Sequence, residues 1–281
     1  MSIVRWFLEN GSDQPIREKP HSPLGYYLAM SEQMDLNGPS KTIEELEPDK
    51  ALHGLHLGAA MVRIPWAVRA LYGTEGAVGQ VDASFIRAEL LGQDSNQPGA
   101  VTLPAGVGTL VIAGRLVQAG LGCIKAIKGN RGAGYDIKWV TGSGDVVYVE
   151  RKDRTYEAGL RDTPEDRVTW AIEKTREAGK RLPRERGAAR VVVVGFQHLV
   201  RKREAKRADL AYHEALKRNL LGGRVPRDDL PHLVIFEHLG LEPKTGGEKF
   251  NFFSPQPLDF KRWPFMWRVG RLLALALGMR L

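Results

Sequence analysis

The run Arg190-Val191-Val192-Val193-Val194-Gly195 constrains the fold of this chain more than any other feature. Four β-branched residues in succession favour a strand, and without polar alternation that strand has no face to offer to water. It therefore needs a layer packed on each side. The flanking sequence supplies helices for this purpose. Thr163-Pro164-Glu165-Asp166 opens one, with Thr163 as N-cap, Pro164 at the first helical position and Asp166 in the capping-box place. Val168, Ala171, Ile172 and Thr175 share a face, which predicts a helix over 164–181. A basic helix over 202–221 and an apolar strand over 232–237 follow the run.

Upstream, the pattern predicts a mostly buried helix over 106–120, stopped by Gly120 and Gly122, then a short strand over 123–127 and a glycine-rich turn over 129–134. Two further strands, 135–141 and 145–151, are joined in the manner of a hairpin by Gly142-Ser143-Gly144. Residues 240–260 read as loop and 263–281 as a final basic, apolar-rich helix. The order helix, strand, strand, strand, helix, strand, helix, strand implies an α/β architecture with helices on a mixed sheet.

The first hundred residues have a different texture. Pro15, Pro20, Pro23, Pro39 and Pro48 keep the first fifty irregular. Leu52, Leu55, Ala59, Val62 and Trp66 predict an amphipathic helix interrupted near Pro65, and a second helix covers 83–91. The polar, turn-rich stretch 92–99 then marks a boundary. Two regions are expected, a helical and irregular 1–100 and an α/β domain over 101–281 with a C-terminal helix.

Charge divides along the same line. The chain has a formal net charge of +8, yet residues 1–100 hold 8 bases against 13 acids, whereas residues 151–230 hold 21 bases against 13 acids. Such asymmetry points to an anionic partner, nucleic acid foremost, for the second region. Arg151, Arg154, Lys174, Arg201, Lys202, Arg203, Lys206 and Arg207 are the candidate phosphate contacts, the 201–207 run being the densest. The single Cys123 suits a reducing compartment. No apolar run approaches the roughly 20 residues of a membrane span. A cytoplasmic protein without membrane insertion is the expectation.

The hairpin also makes a chemical statement. If its turn centres on Ser143, Trp139 faces Val147, and Asp136 faces Glu150 with Cβ atoms about 4.5–5.5 Å apart. Alternation places Glu150 and Lys152 on one face of the strand, with Tyr148, and Val147, Val149 and Arg151 on the other. Two carboxylates so close repel one another unless a cation lies between them. Oxygen ligands alone favour Mg²⁺ or Mn²⁺ over zinc. Lys152 is one step along the same face, where it could orient a water or stabilise charge on a phosphoryl group.

Gly134-Tyr135-Asp136-Ile137-Lys138-Trp139 and Val147-Tyr148-Val149-Glu150-Arg151-Lys152, with thirteen residues between Asp136 and Glu150, resemble the bipartite motif of the PD-(D/E)xK nuclease superfamily. That family has the restriction-endonuclease-like fold, whose core order αβββαβ is similar to the order read here from 106 to 195. The resemblance implies that Asp136 and Glu150 bind Mg²⁺ and that Lys152 is the catalytic lysine. It also implies that the crossover helix 164–181 adds a polar residue to the site, for which Lys174 is the candidate. Two departures stand out. Tyr135 occupies the place of the family proline, and helix 106–120 contains no acid where many members place a metal-binding Glu. Glu89, in helix 83–91, is the residue able to supply that group. The implied activity is hydrolysis of phosphodiesters, in DNA before RNA; the alternative is a nucleic-acid-binding or assembly protein that kept the fold without turnover.

Other signals read as structural. His53 and His56, three apart in a helix, have no further ligand nearby, and Gly106-Val107-Gly108 has no Walker lysine after it. The C-terminal helix, with Arg262, Arg268, Arg271 and Arg280 among Trp263, Phe265 and Trp267, is expected to dock on its own domain or on the partner of a homodimer.

Overall fold

The computed structural model describes residues 63–71, 89, 99–118, 122–125, 134–154, 163–199, 202–222, 226–239, 251–257 and 264–277. Among these are helices α1 (63–71), α2 (Gly99–Gln118), α3 (Pro164–Arg181), α4 (Lys202–Leu221) and α5 (Pro264–Leu277). The strands are β1 (Gly122–Lys125), β2 (Ile137–Thr141), β3 (Val146–Arg154), β4 (Ala189–Leu199), β5 (Leu233–Leu239) and β6 (Asn251–Pro257). The chain divides into two units, 1–114 and 115–281, at a point inside α2 rather than in the turn-rich stretch before it. His53, His56, Arg201 and most of the helix expected over 83–91 lie outside the described residues.

In the first unit, α1 buries Ile64, Ala67, Val68 and Leu71, and it is helical through Pro65. Gly114 lets the Trp66 ring and Ala70 approach: an added Cβ would stand 3.1 Å from the one and 3.2 Å from the other.

The second unit is built on one mixed six-stranded sheet of order β1-β2-β3-β4-β5-β6. Pairings β1–β2, β2–β3 and β5–β6 are antiparallel, whereas β3–β4 and β4–β5 are parallel. Parallel neighbours require crossover connections, and α3 and α4 make them. Val191, Val192, Val193 and Val194 are all 0% exposed, the two-sided burial that the β-branched run demanded. Val192 and Val194 join Ala171, Ala178, Leu182, Tyr212, Leu216, Leu220 and Phe236 in a core between the sheet and helices α3 and α4. Arg115, in the last turn of α2, donates to the Leu277 carbonyl at the end of α5 at 3.3 Å.

α3 has the expected bounds because its cap is complete. Thr163 Oγ1 accepts from Asp166 N at 3.2 Å, and Asp166 Oδ2 accepts from Thr163 N at 3.1 Å. This reciprocal pairing satisfies amide donors that a helix start leaves without partners. Its small residues, Ala171, Thr175 and Ala178, let it lie close to the sheet.

Three elements differ from expectation. Residues 251–257, read as loop, form β6, an edge strand in which Pro255 and Pro257 are tolerated because an edge leaves amide positions that need no partner. β3 continues to Arg154 because parallel pairing with β4 holds it as far as Arg154 opposite Phe196, although Lys152-Asp153-Arg154 is too charged to look like a strand. α2 begins at Gly99, not near 106.

Candidate functional site

The hairpin register is the one deduced from its turn: Trp139 pairs with Val147, and Ile137 with Val149. Thr141 and Ser143 stabilise that turn, the Thr141 hydroxyl lying 2.9 Å from Ser143 and accepting from Asp145 N at 3.0 Å. β2 starts at Ile137, so Asp136 stands one residue outside the ladder instead of directly opposing Glu150 as expected. Its backbone N donates to the Val149 carbonyl at 2.8 Å, and its Oδ2 accepts from the backbone N of Arg151 at 2.6 Å. The reason is a strand-end one. A strand amide beyond the end of its partner lacks a carbonyl, and an aspartate at that place supplies the acceptor.

Arg151 lies between Glu150 and Lys152, so this hydrogen bond fixes Asp136 against the strand segment that carries both. Period-2 alternation then sends Glu150 and Lys152 to the face covered by α3 and α4, in register with Val192 and Val194. Glu150 is 5% exposed, and its Oε1 pairs with Lys152 Nζ at 2.7 Å, the ammonium being partly open to solvent. A buried carboxylate held by a lysine whose side chain is 20% exposed is a polar group with a route to the surface.

α3 contributes the next charges. Lys174 Nζ donates to Glu177 Oε2 at 2.8 Å, and Arg181 NH1 lies 3.6 Å from Glu177 Oε1. The hydrogen bond from Lys174, aided by the fields of Lys152 and Arg181, holds the Glu177 carboxyl below its usual range. Glu177 was not a candidate on sequence grounds. Its signal was present in the position three after Lys174, one turn along the same helix side. Lys174 thus sits beside the site, as a partner of Glu177.

On the reverse face of the sheet the same strand anchors a buried ion cluster. Arg151 Nε and NH2 donate to Asp153 Oδ2 and Oδ1, each at 2.7 Å, and Arg151 NH1 pairs with Glu237 from β5. The three side chains are 2%, 4% and 3% exposed. The two carboxylates overcome the burial penalty and raise the Arg151 guanidinium pKa above its ordinary value. Asp153, Gly195 and Glu237 are aligned across β3, β4 and β5. Gly195 leaves the space in which the guanidinium folds, since an added Cβ would stand 2.7 Å from Arg151 NH2 and closer still to Asp153 Oδ1. Arg151, expected to face phosphate, is instead enclosed with its donors on two carboxylates.

Arg154 stacks over the Trp170 ring, 5.7 Å from its centroid, and its NH1 donates to the Asp166 carbonyl at 3.3 Å. Lys202, Arg203, Lys206 and Arg207 lie in the first two turns of α4. Glu89 belongs to the first unit, where it is buried and its carbonyl would stand 2.5 Å from a Cβ at Gly106.

No protein-family model, curated protein or solved structure matches the chain. Its chemistry has to be read from the site alone. Among the described residues no three His, Cys, Asp or Glu side chains cluster so as to hold a metal ion. The carboxylates expected to bind a metal are Asp136, on the Arg151 amide, and Glu150, on Lys152. Mg²⁺ is usually held by one or two carboxylates with waters and substrate phosphates completing the shell, so a two-carboxylate set fits that ion. Among the described residues no helix is long and apolar enough to cross a membrane.

Proposed function

We propose that this chain is a metal-dependent nuclease with a restriction-endonuclease-like core, hydrolysing phosphodiester bonds in DNA. The observation that carries the reading is the convergence at one point of β3: Asp136 held on the Arg151 amide, with Glu150 and Lys152 on either side of that residue. The element order supports it, since a helix and an antiparallel three-strand meander lead through a crossover helix to a parallel strand.

Asp136 and Glu150 would hold Mg²⁺, which when bound supplies Lewis-acid polarisation of a phosphoryl oxygen. Lys152 gives a cation that can hydrogen-bond the attacking water and offset the charge growing on the phosphate. Arg151 acts from behind. Its buried pairing with Asp153 and Glu237 fixes the strand so that its neighbours keep their direction. Glu177 stands in the field of Lys152 and adds negative charge on the α3 side of the ammonium.

A binding protein of the same fold without turnover is the second reading, favoured by the lack of a third clustered ligand among the described residues and by the existing Glu150–Lys152 pair. Calorimetric titration with Mn²⁺ separates the two. The nuclease reading expects a site that is lost in Asp136→Asn, a variant that can still accept from the Arg151 amide. A wild-type protein that takes up no Mn²⁺ while binding DNA supports the second reading.

A further inference from the structure

The described basic residues of the second unit are not equivalent, because several already have partners. Arg151 is enclosed by Asp153 and Glu237, Arg154 stacks on Trp170, Lys174 bonds Glu177 and Arg184 pairs with Asp229. Arg190 donates to the carbonyls of Asp228 and Leu230, each at 2.6 Å, and of Gly179 at 3.4 Å. Arg176 and Lys180 differ. Both are exposed, and among the described residues no carboxylate pairs with either.

They also share a place. Thr169, Ile172, Arg176 and Lys180, with Glu173 and Glu177, follow helical spacing down one side of α3 and line a hollow of about 550 Å³. This side flanks the one that Ala171, Thr175 and Ala178 bury on the sheet. From Thr169 to Arg181 the stripe is roughly 18 Å long at 1.5 Å per residue, the length of about five base pairs. It holds three bases, Arg176, Lys180 and Arg181, against two acids, Glu173 and Glu177. Glu177 is one of those acids, and Lys174 and Arg181 offset its charge. The helix that carries the stripe packs on the sheet face of Val192 and Val194, in register with Glu150 and Lys152, so the stripe runs along the element that covers the proposed site.

We propose that the outer stripe of α3 is the track for the duplex-DNA backbone, with Arg176 and Lys180 as its phosphate contacts. This rests on the nuclease reading and adds the path of the substrate to it. Arg176 can take a phosphate bidentately and Lys180 as a point charge, one helical turn apart. Neither needs to leave an existing partner to do so.

The test is the salt dependence of duplex binding by the full chain in EDTA, where hydrolysis is blocked. Wild type is compared with Arg176→Ala/Lys180→Ala and with a charge-matched pair on α4, Lys217→Ala/Arg218→Ala, each checked by circular dichroism. Each lost phosphate contact reduces the slope of log K against log salt by about 0.9, so the α3 pair should flatten it by about 1.8 while the α4 pair leaves it unchanged. Equal slopes for wild type and the α3 pair, or equal flattening in both pairs, overturn the track and leave the nuclease reading intact. A wild-type protein that binds no duplex at low salt overturns that reading, and the track with it.

Discussion

Replacing Gly195 by Ala tests whether the buried cluster behind the site holds β3 in place. The added methyl would stand 2.7 Å from Arg151 NH2 and closer to Asp153 Oδ1, whereas heavy atoms in ordinary contact are about 3.5–4.0 Å apart. Both atoms belong to a two-pronged ion pair with hydrogen bonds of 2.7 Å. Relieving the overlap requires a shift approaching 1 Å, which would carry those bonds beyond hydrogen-bonding distance. Breaking a buried pair costs about 3–5 kcal/mol. Glu237 still faces the guanidinium, so the lower end, about 3 kcal/mol, is expected. For a domain of this size, that corresponds to a fall in Tm of roughly 6–12 °C. Urea unfolding is the assay, with a lower midpoint and an unchanged m-value expected. A double-mutant cycle makes the cause specific: once Asp153→Ala has emptied the space, adding Gly195→Ala should cost less than about 1 kcal/mol. A single-variant cost below about 1 kcal/mol, or additivity within about 0.5 kcal/mol, would refute the reasoning.

Other perturbations follow the same logic. Gly134 has φ +73° and lies against the Arg181 carbonyl, whereas Gly144 has φ +82° with nothing nearby. Gly134→Ala should therefore destabilise by more than Gly144→Ala, whose cost is about 1 kcal/mol of backbone strain, as read by urea midpoints. Thr163→Ala removes the α3 cap and should cost about 1 kcal/mol by the same measurement. Hydrogen bonds from Thr163 hold the Asp166 carboxyl below its usual range. Its contribution is therefore present above the unfolded pKa and lost as pH falls through the folded one, so the gap between wild type and Asp166→Asn should close below about pH 4 in thermal melts.

What the sequence revealed and what it hid divide on whether the cause is local. Helix α3 was legible because Thr163, Pro164 and Asp166 cap it within four residues, and β4 because four consecutive valines exclude other readings. The hairpin register followed from one turn. The position of Asp136 did not, because it depends on where β2 ends and on a strand amide that then lacks a partner. β6 was concealed by two prolines that only an edge tolerates, and its edge position is set by pairing with β5. The Arg151, Asp153 and Glu237 cluster joins residues up to 86 positions apart in sequence and had no local signal beyond a glycine closing a run of valines. That glycine marked a close approach, as glycines in strands often do.

The most direct measurement is cleavage of supercoiled plasmid, linear DNA and single-stranded RNA by the purified protein in Mg²⁺, beside an EDTA control and Lys152→Ala. Metal-dependent cutting of DNA, abolished by EDTA and by loss of the Lys152 ammonium that pairs with Glu150, is the predicted result. DNA left intact in Mg²⁺ and Mn²⁺ by a folded wild-type protein, or cutting that survives Lys152→Ala unchanged, would contradict it.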